Sequence, residues 1–405
     1  MTSWDEIYAQ SEAWGSTLPS TFLLDFVEEG TGIGKRVLDL GSGEGRNALL
    51  FARSKTQIDC VDISATALSR LRKLSHDLDA TVSTHQANIL DFQVETGNYD
   101  VVLFYGVINS FPKNQWKSLA DKIKASLRPG GVAIVVVFTD LIPILEHEPT
   151  LVSLAEAAEM RELFAGLSVI KASAHLVDHC HFPKGNHSHS IERYAFRNSI
   201  VTMREPTEPT GLKVAVLAPT NPSYSAAALR VKDSSYHKAA ADLGHFMADR
   251  NIEYVGVPDR GLPLLCLEAL LERRPDARAT ILVPPAGDGL SNRGEFDLKD
   301  IINRFPLAEF NVVKSAGWAD QVVKISQLAD ACVAIGHSCG SIVEIGWTKW
   351  TKKPVFASRD LCSPLPREIQ DRLHYFEVPT FEQLLRTLSM HLPYVKENVM
   401  NQAPE

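Results

Sequence analysis

The chain has 405 residues, 45% of them hydrophobic, with 49 acidic against 41 basic side chains and a formal net charge of −8. That is enough apolar material for about two or three domains with full cores, two being the better count. No apolar run has spanning length, Met1 to Ser20 carries no signal-peptide pattern and no basic block occurs, which speaks against membrane insertion, secretion and nonspecific nucleic-acid binding and makes the cytoplasm the expected location. The cysteines lack C-x-x-C pairing and several fall in apolar segments, as expected of reduced, buried thiols.

In chain order, Val37 to Leu40 reads as a buried strand running into a glycine-rich turn, Gly41-Ser42-Gly43-Glu44-Gly45, that opens a helix. Glycines there let the backbone turn tightly and pass close to a ligand. The spacing is G-x-G-x-G, whereas a dinucleotide site prefers G-x-G-x-x-G. Asp39 precedes the glycines and would repel a phosphate, so a cationic ligand suits the loop better. Adenosine with a positively charged amino-acid tail fits, which describes S-adenosylmethionine. Gln57 to Ser64 is the next strand and ends in Asp62, placed to accept hydrogen bonds from both ribose hydroxyls. Ser64 is the expected N-cap of a helix over Ala65 to Leu74. His85 to Phe92 offers Asn88 to the adenine amino group and Ile89 to its face. Tyr99 to Tyr105 is a continuous apolar run typical of a central parallel strand. Leu127 to Gly131 then turns the chain into the apolar strand Val132 to Phe138.

Over roughly residues 1 to 198 the chain resembles the class I S-adenosylmethionine-dependent methyltransferases, and within them the tellurite-resistance and thiopurine-type small-molecule branch. Three residue sets carry the closer likeness: Trp4-Asp5-Glu6-Ile7-Tyr8 with Trp14-Gly15 and Pro19-Ser20; Gly43 to Asn47; and the His-rich stretch Asp178 to His189. Asn88 departs from the Asp of many members. The resemblance implies cofactor contacts from the lid residues Trp4 and Tyr8, from Asp39, Gly41, Gly43, Gly45 and Arg46, from Asp62 and Ile63, from Asn88 and Ile89, and from Tyr105. Tyr105 lies just past the fourth strand, where it would also line an acceptor pocket. The histidines at 179, 181, 187 and 189 leave three readings open: a metal site, a solvated hairpin or part of the substrate pocket. Their spacing lacks the pattern of a ligand set, and no metal is expected. The alternation His187-Ser188-His189 suits a strand with both rings on one face. Either is the best available base for an acceptor that needs one.

A polar stretch from residue 201 to 211, with Pro206 and Pro209, reads as a linker. Beyond it, residues 212 to 395 repeat the α/β pattern, so the expected fold is two Rossmann-like three-layer α/β domains in tandem. Strands are expected at Leu212 to Ala218, Ile252 to Val257, Thr280 to Pro284 and Ala329 to Ile335, with a short final one at Lys353 to Ala357. Helices are expected at Ser235 to Arg250 and Leu264 to Arg273, and a loop at Asn221-Pro222-Ser223-Tyr224. This half resembles the Rossmann-like superfamily of Lonely-guy phosphoribohydrolases and DNA-processing proteins, through Lys213 to Val216, Gly261-Leu262, Ile281 to Pro284, and Gly340-Ser341 with Glu344. Gly336, His337 and Ser338 depart from the Pro-Gly-Gly of that family. Nucleoside deoxyribosyltransferases are similar through Glu344-Ile345-Gly346. The likeness implies a nucleotide ligand and, for Glu344, action on an N-glycosidic bond; a capping box at Ser341 and Glu344 is the plainer alternative. The expected protein is therefore a methyltransferase acting on a small molecule. Its second domain is a nucleotide-binding, N-glycoside-processing or regulatory partner, and its tryptophans and apolar strands suit a homodimer.

Overall fold

The computed structural model describes residues 4–9, 19–31, 35–52, 55–76, 81–143, 150–181, 185–198, 211–258, 260–283 and 299–401. Residues 201–210 of the expected linker, Trp14 and Gly15 lie outside them. The chain divides into two compact units, Met1–Met203 and Arg204–Glu405.

In the first unit the strands are β1 (Arg36–Leu40), β2 (Gln57–Asp62), β3 (Thr81–Gln86), β4 (Tyr99–Tyr105), β5 (Leu127–Phe138), β6 (Ser168–His181) and β7 (Gly185–Arg197). The helices are α1 (Trp4–Ala9), α2 (Leu24–Glu28), α3 (Ala65–Ser75), α4 (Lys113–Ser126) and α5 (Glu159–Leu163). The sheet runs β6-β7-β5-β4-β1-β2-β3; β1 to β5 are parallel and the β6–β7 hairpin is antiparallel to β5. β4 and the apolar half of β5 are buried almost throughout, as a strand covered on both faces requires. α3 starts where Ser64 Oγ accepts from Ala67 N at 3.1 Å and buries Ala67, Leu68 and Leu71. Those leucines join Val37, Ile58, Leu103 and Ile134 in one core with Phe22 and Phe26 from the N-terminal segment.

Two expectations change here. The glycine loop opens not into an α-helix but into turns and a short 3-10 helix, Ala48–Phe51. Only a short path remains before Gln57, which must pair with Arg36 across β1 and β2. The turn expected at Leu127 to Gly131 is part of β5, with the register shifting against β4 between Tyr99 and Val101. It is a bulge within the strand.

The second unit holds β8 (Lys213–Leu217), α6 (Ser223–Leu229), α7 (Asp233–Asp249), β9 (Glu253–Gly256), α8 (Gly261–Arg273), β10 (Arg278–Val283), α9 (Lys299–Arg304), β11 (Glu309–Lys314), α10 (Trp318–Leu328), β12 (Ala331–Ala334), α11 (Cys339–Thr351), β13 (Val355–Ser358), α12 (Arg367–Gln370), β14 (Tyr375–Val378) and α13 (Phe381–Asn401). Its sheet is parallel in the order β11-β10-β9-β8-β12-β13-β14. The strand order reverses between β8 and β12, which opens a crevice at their carboxyl ends. The loop expected at Ser223-Tyr224 is the start of α6: Asn221 Oδ1 accepts from Ser223 N at 3.0 Å and three alanines carry the helix on. β13 is not the last strand, because β14 pairs with it from Val355↔Tyr375 to Ser358↔Val378. Among the described residues no helix is long and apolar enough to cross a membrane.

Candidate active site

The site of the first unit is built at the carboxyl ends of β1 and β2. Gly41 N and Ser42 N both donate to Val61 O, at 2.7 and 3.1 Å, which folds the glycine loop back over β2. Asp62 closes that loop: its Oδ2 accepts from Gly43 N at 2.8 Å and its Oδ1 from Ser64 N at 2.9 Å. Gly43 is left-handed, φ +52°, and a Cβ there would collide with the Tyr8 hydroxyl, so only glycine fits under α1. Tyr8 is buried and Trp4 half-buried beside it, their ring centroids 6.2 Å apart.

Electrostatics single out two acids. Burial, followed by the charge of Asp62, pushes the Asp39 carboxyl up to about 7, with Arg46 opposing. Burial also raises Asp62, offset in part by the N–H groups of Ser64 and Gly43. Two desolvated carboxylates beside a loop of amides suit a ligand that carries positive charge near hydroxyls.

Further residues converge on the same end of the sheet. Tyr105 Oη donates to Ser20 Oγ at 2.7 Å, and the Arg46 guanidinium stands 5.9 Å from the Tyr105 ring centroid. Ser20 N in turn donates to Asn47 Oδ1 at 3.1 Å. His189 meets Phe138 edge-on, ring centroids 5.0 Å apart. His187 pairs with His179 in the backbone register of β6 and β7, but its side chain lies outside the described residues. Among those residues no group of three or more His, Cys, Asp or Glu could hold a metal ion. Ile89 is buried, whereas Ile63 is 52% exposed beside Asp62. Asn88 Oδ1 accepts from Leu90 N at 3.0 Å, which fixes the amide group through its oxygen.

Sequence reading missed the residues that close α1 over the loop. Asp5 Oδ1 accepts from Ser64 Oγ at 2.6 Å and from Thr66 N at 2.9 Å, and these bonds lower the Asp5 carboxyl below its ordinary range, the Ser64 hydroxyl most. Arg70 bridges Glu44 Oε1, at 2.6 Å, and Tyr8 O, at 2.9 Å. Asp5 falls in the Trp4–Tyr8 set and Arg70 in no motif, and neither role is visible there, since each acts through a partner about 60 residues away along the chain.

With that geometry in view, the segment can be set against known families. Residues 37–131 match the methyltransferase-domain family. That match supports a methyltransferase domain in this segment, with S-adenosylmethionine as its cofactor. The left-handed glycine loop and the two buried acids fit that cofactor. An uncharacterized protein of Rickettsia prowazekii is 29% identical over 103 residues, which are 25% of this chain and 41% of that protein; the chain thus matches less than half the length of this curated relative. Among solved structures, TehB from Haemophilus influenzae is similar at 16% identity over 48% of this chain and 66% of that one, TM-score 0.39. The 1,6-didemethyltoxoflavin-N1-methyltransferase of Burkholderia thailandensis is similar at 19% identity over 44% and 76%, TM-score 0.35.

In the second unit the loop after β12 leads into α11. Ser338, not Ser341, is the N-cap: its Oγ accepts from Ser341 N at 3.2 Å, and the Ser341 hydroxyl returns the bond as acceptor from Ser338 N at 2.7 Å. That corrects the expectation that Ser341 and Glu344 form the capping box. Glu344 lies a turn deeper, 9% exposed, with no hydrogen-bond partner among the described residues. Burial pushes its carboxyl up to about 7.

Proposed function

We propose that the first unit transfers the methyl group of S-adenosylmethionine to a small-molecule acceptor. The observation that carries this reading is the glycine loop held by Asp62 beneath Tyr8 with Asp39 buried next to it. When bound, S-adenosylmethionine supplies an electrophilic methyl on a sulfonium, and displacement there needs chiefly alignment. Asp62 would take the ribose hydroxyls on the lone pairs that Gly43 N and Ser64 N leave unused. Asp39 would balance the positive tail, Ile63 and Ile89 would face the purine, and Trp4, Tyr8 and Arg46 would enclose the remainder. Tyr105 lines the acceptor side. A thiolate, selenolate or unprotonated aromatic nitrogen needs chiefly positioning there, whereas a hydroxyl or carbon acid must give its proton to a base, for which His189 and His187 are the residues at hand. Calorimetric titration with S-adenosylhomocysteine tests the reading: the intact chain should bind it, and Asp62→Ala should weaken binding by about 1–3 kcal/mol. Absence of binding by the intact chain would overturn it.

For the second unit, the unpartnered, buried Glu344 favours a ligand site in the β8–β12 crevice. We infer a nucleotide there, with Glu344 on its ribose or at its N-glycosidic bond. The unit either senses that ligand to regulate the first or acts on it.

A further inference from the structure

Lys122, on α4, stands beneath the turn that follows β3. Its Nζ donates to Ile89 O at 2.6 Å, Leu90 O at 2.7 Å and Phe92 O at 2.9 Å. An ammonium has three N–H donors and no acceptor, so three carbonyls of one turn occupy its whole capacity. Asn88 closes the turn from within: its O accepts from Asp91 N and Phe92 N at 3.0 and 2.9 Å, and its Oδ1 from Leu90 N. Ala87 N donates to Asp62 O at 3.0 Å, which ties the front of the turn to the strand end bearing the ribose acid. Burial lowers Lys122 below the usual lysine range, with Asp91 opposing; the ammonium is held there by carbonyl dipoles rather than by a direct ion pair.

We propose that Lys122 is a positioning residue for the adenine of the cofactor, fixing the Asn88–Phe92 turn so that the Asn88 amide nitrogen meets the purine edge in one orientation. The inference rests on the cofactor reading above. With one Oδ1 lone pair engaged by Leu90 N, Asn88 presents its N–H donors, which match the acceptor N1 of adenine rather than the amino group expected from the sequence, and oppose the protonated N1 of hypoxanthine. Purine discrimination therefore depends on the turn staying rigid. Without the lysine, three carbonyls lose their common donor at once, the turn is free to shift, and the amide no longer addresses a single ring atom.

The test is calorimetric affinity of the intact chain for S-adenosylhomocysteine and for S-inosylhomocysteine, in wild type, Lys122→Met and the milder Lys122→Gln. Wild type should prefer the adenine ligand. In Lys122→Met the adenine ligand should weaken about tenfold while the preference collapses toward unity, and Lys122→Gln, which keeps a donor, should fall between. If Lys122→Met does not fold, Lys122→Gln against wild type carries the same comparison. Equal weakening of both ligands, or an unchanged preference, would overturn the positioning role and leave the cofactor reading intact. Failure of wild type to bind S-adenosylhomocysteine would remove the cofactor reading and, with it, this inference.

Discussion

Asp39 is a carboxylic acid placed where water cannot solvate its charge, next to a second acid, Asp62. Its native value near 7 lies above the roughly 3.9 of an unfolded chain. Between those values the native state holds a proton that the unfolded state has lost, so this group's contribution is fully present below about pH 4 and is lost as pH rises through 7. A cationic cofactor reverses the preference, because it stabilises the ionised form. Affinity for S-adenosylmethionine should therefore rise with pH up to about 7, by at most about tenfold per unit, and Asp39→Asn should flatten that rise. The same substitution should also lessen the decline in stability of the ligand-free protein over this range, to which Asp62 and Glu344 contribute as well. Titration calorimetry at several pH values, paired with urea unfolding, checks both; a pH slope unchanged in Asp39→Asn would assign the titration to another group.

Elements show what a linear reading can and cannot see. β4 is legible because a strand buried on both faces is a nearly continuous apolar run, β1 and β2 because each ends at a recognisable loop or acid, and α3 because Ser64 announces it. β11 is not: as an edge strand with mostly exposed residues it carries no such run. β14 is only four residues long. Asp62 and the glycine loop are local patterns, whereas Lys122, Asp5 and Arg70 acquire roles only when distant segments meet. The α1 lid is the clearest case. Six residues cannot hold a helix by themselves, and α1 is fastened by Tyr8 against Gly43 and by Asp5 and Arg70 on α3. Because Arg70 also grips Glu44 of the glycine loop, a cofactor bound at that loop is expected to be coupled to the seating of α1. Arg70→Met should speed dissociation of S-adenosylhomocysteine by about tenfold with little change in association, read by stopped-flow fluorescence. A slower association with an unchanged dissociation rate would mean that α1 guards entry rather than exit.

At the scale of the whole molecule, two α/β units lie on one chain. The capping of α11 decides how the second should be read. Had Glu344 been bound to the helix amides, the unit would need no ligand to explain its sequence. Ser338 and Ser341 satisfy each other instead, leaving a buried carboxyl near pH 7 in its titration. Burying such a group without a partner destabilises the fold, so Glu344→Gln should raise the unfolding midpoint of the second unit while removing whatever the carboxylate does for a ligand. Ligand bound at a hundredfold excess over its Kd adds about 2.7 kcal/mol to the unit that holds it. In scanning calorimetry S-adenosylhomocysteine should thus shift the transition of the first unit, and one of a panel of nucleoside monophosphates that of the second, with the nucleotide shift lost in Glu344→Gln and the other retained. A variant that is more stable yet keeps its full nucleotide shift would confine Glu344 to the interior of the fold and move the ligand elsewhere in the crevice; a variant that loses stability would show that the carboxylate has a partner after all.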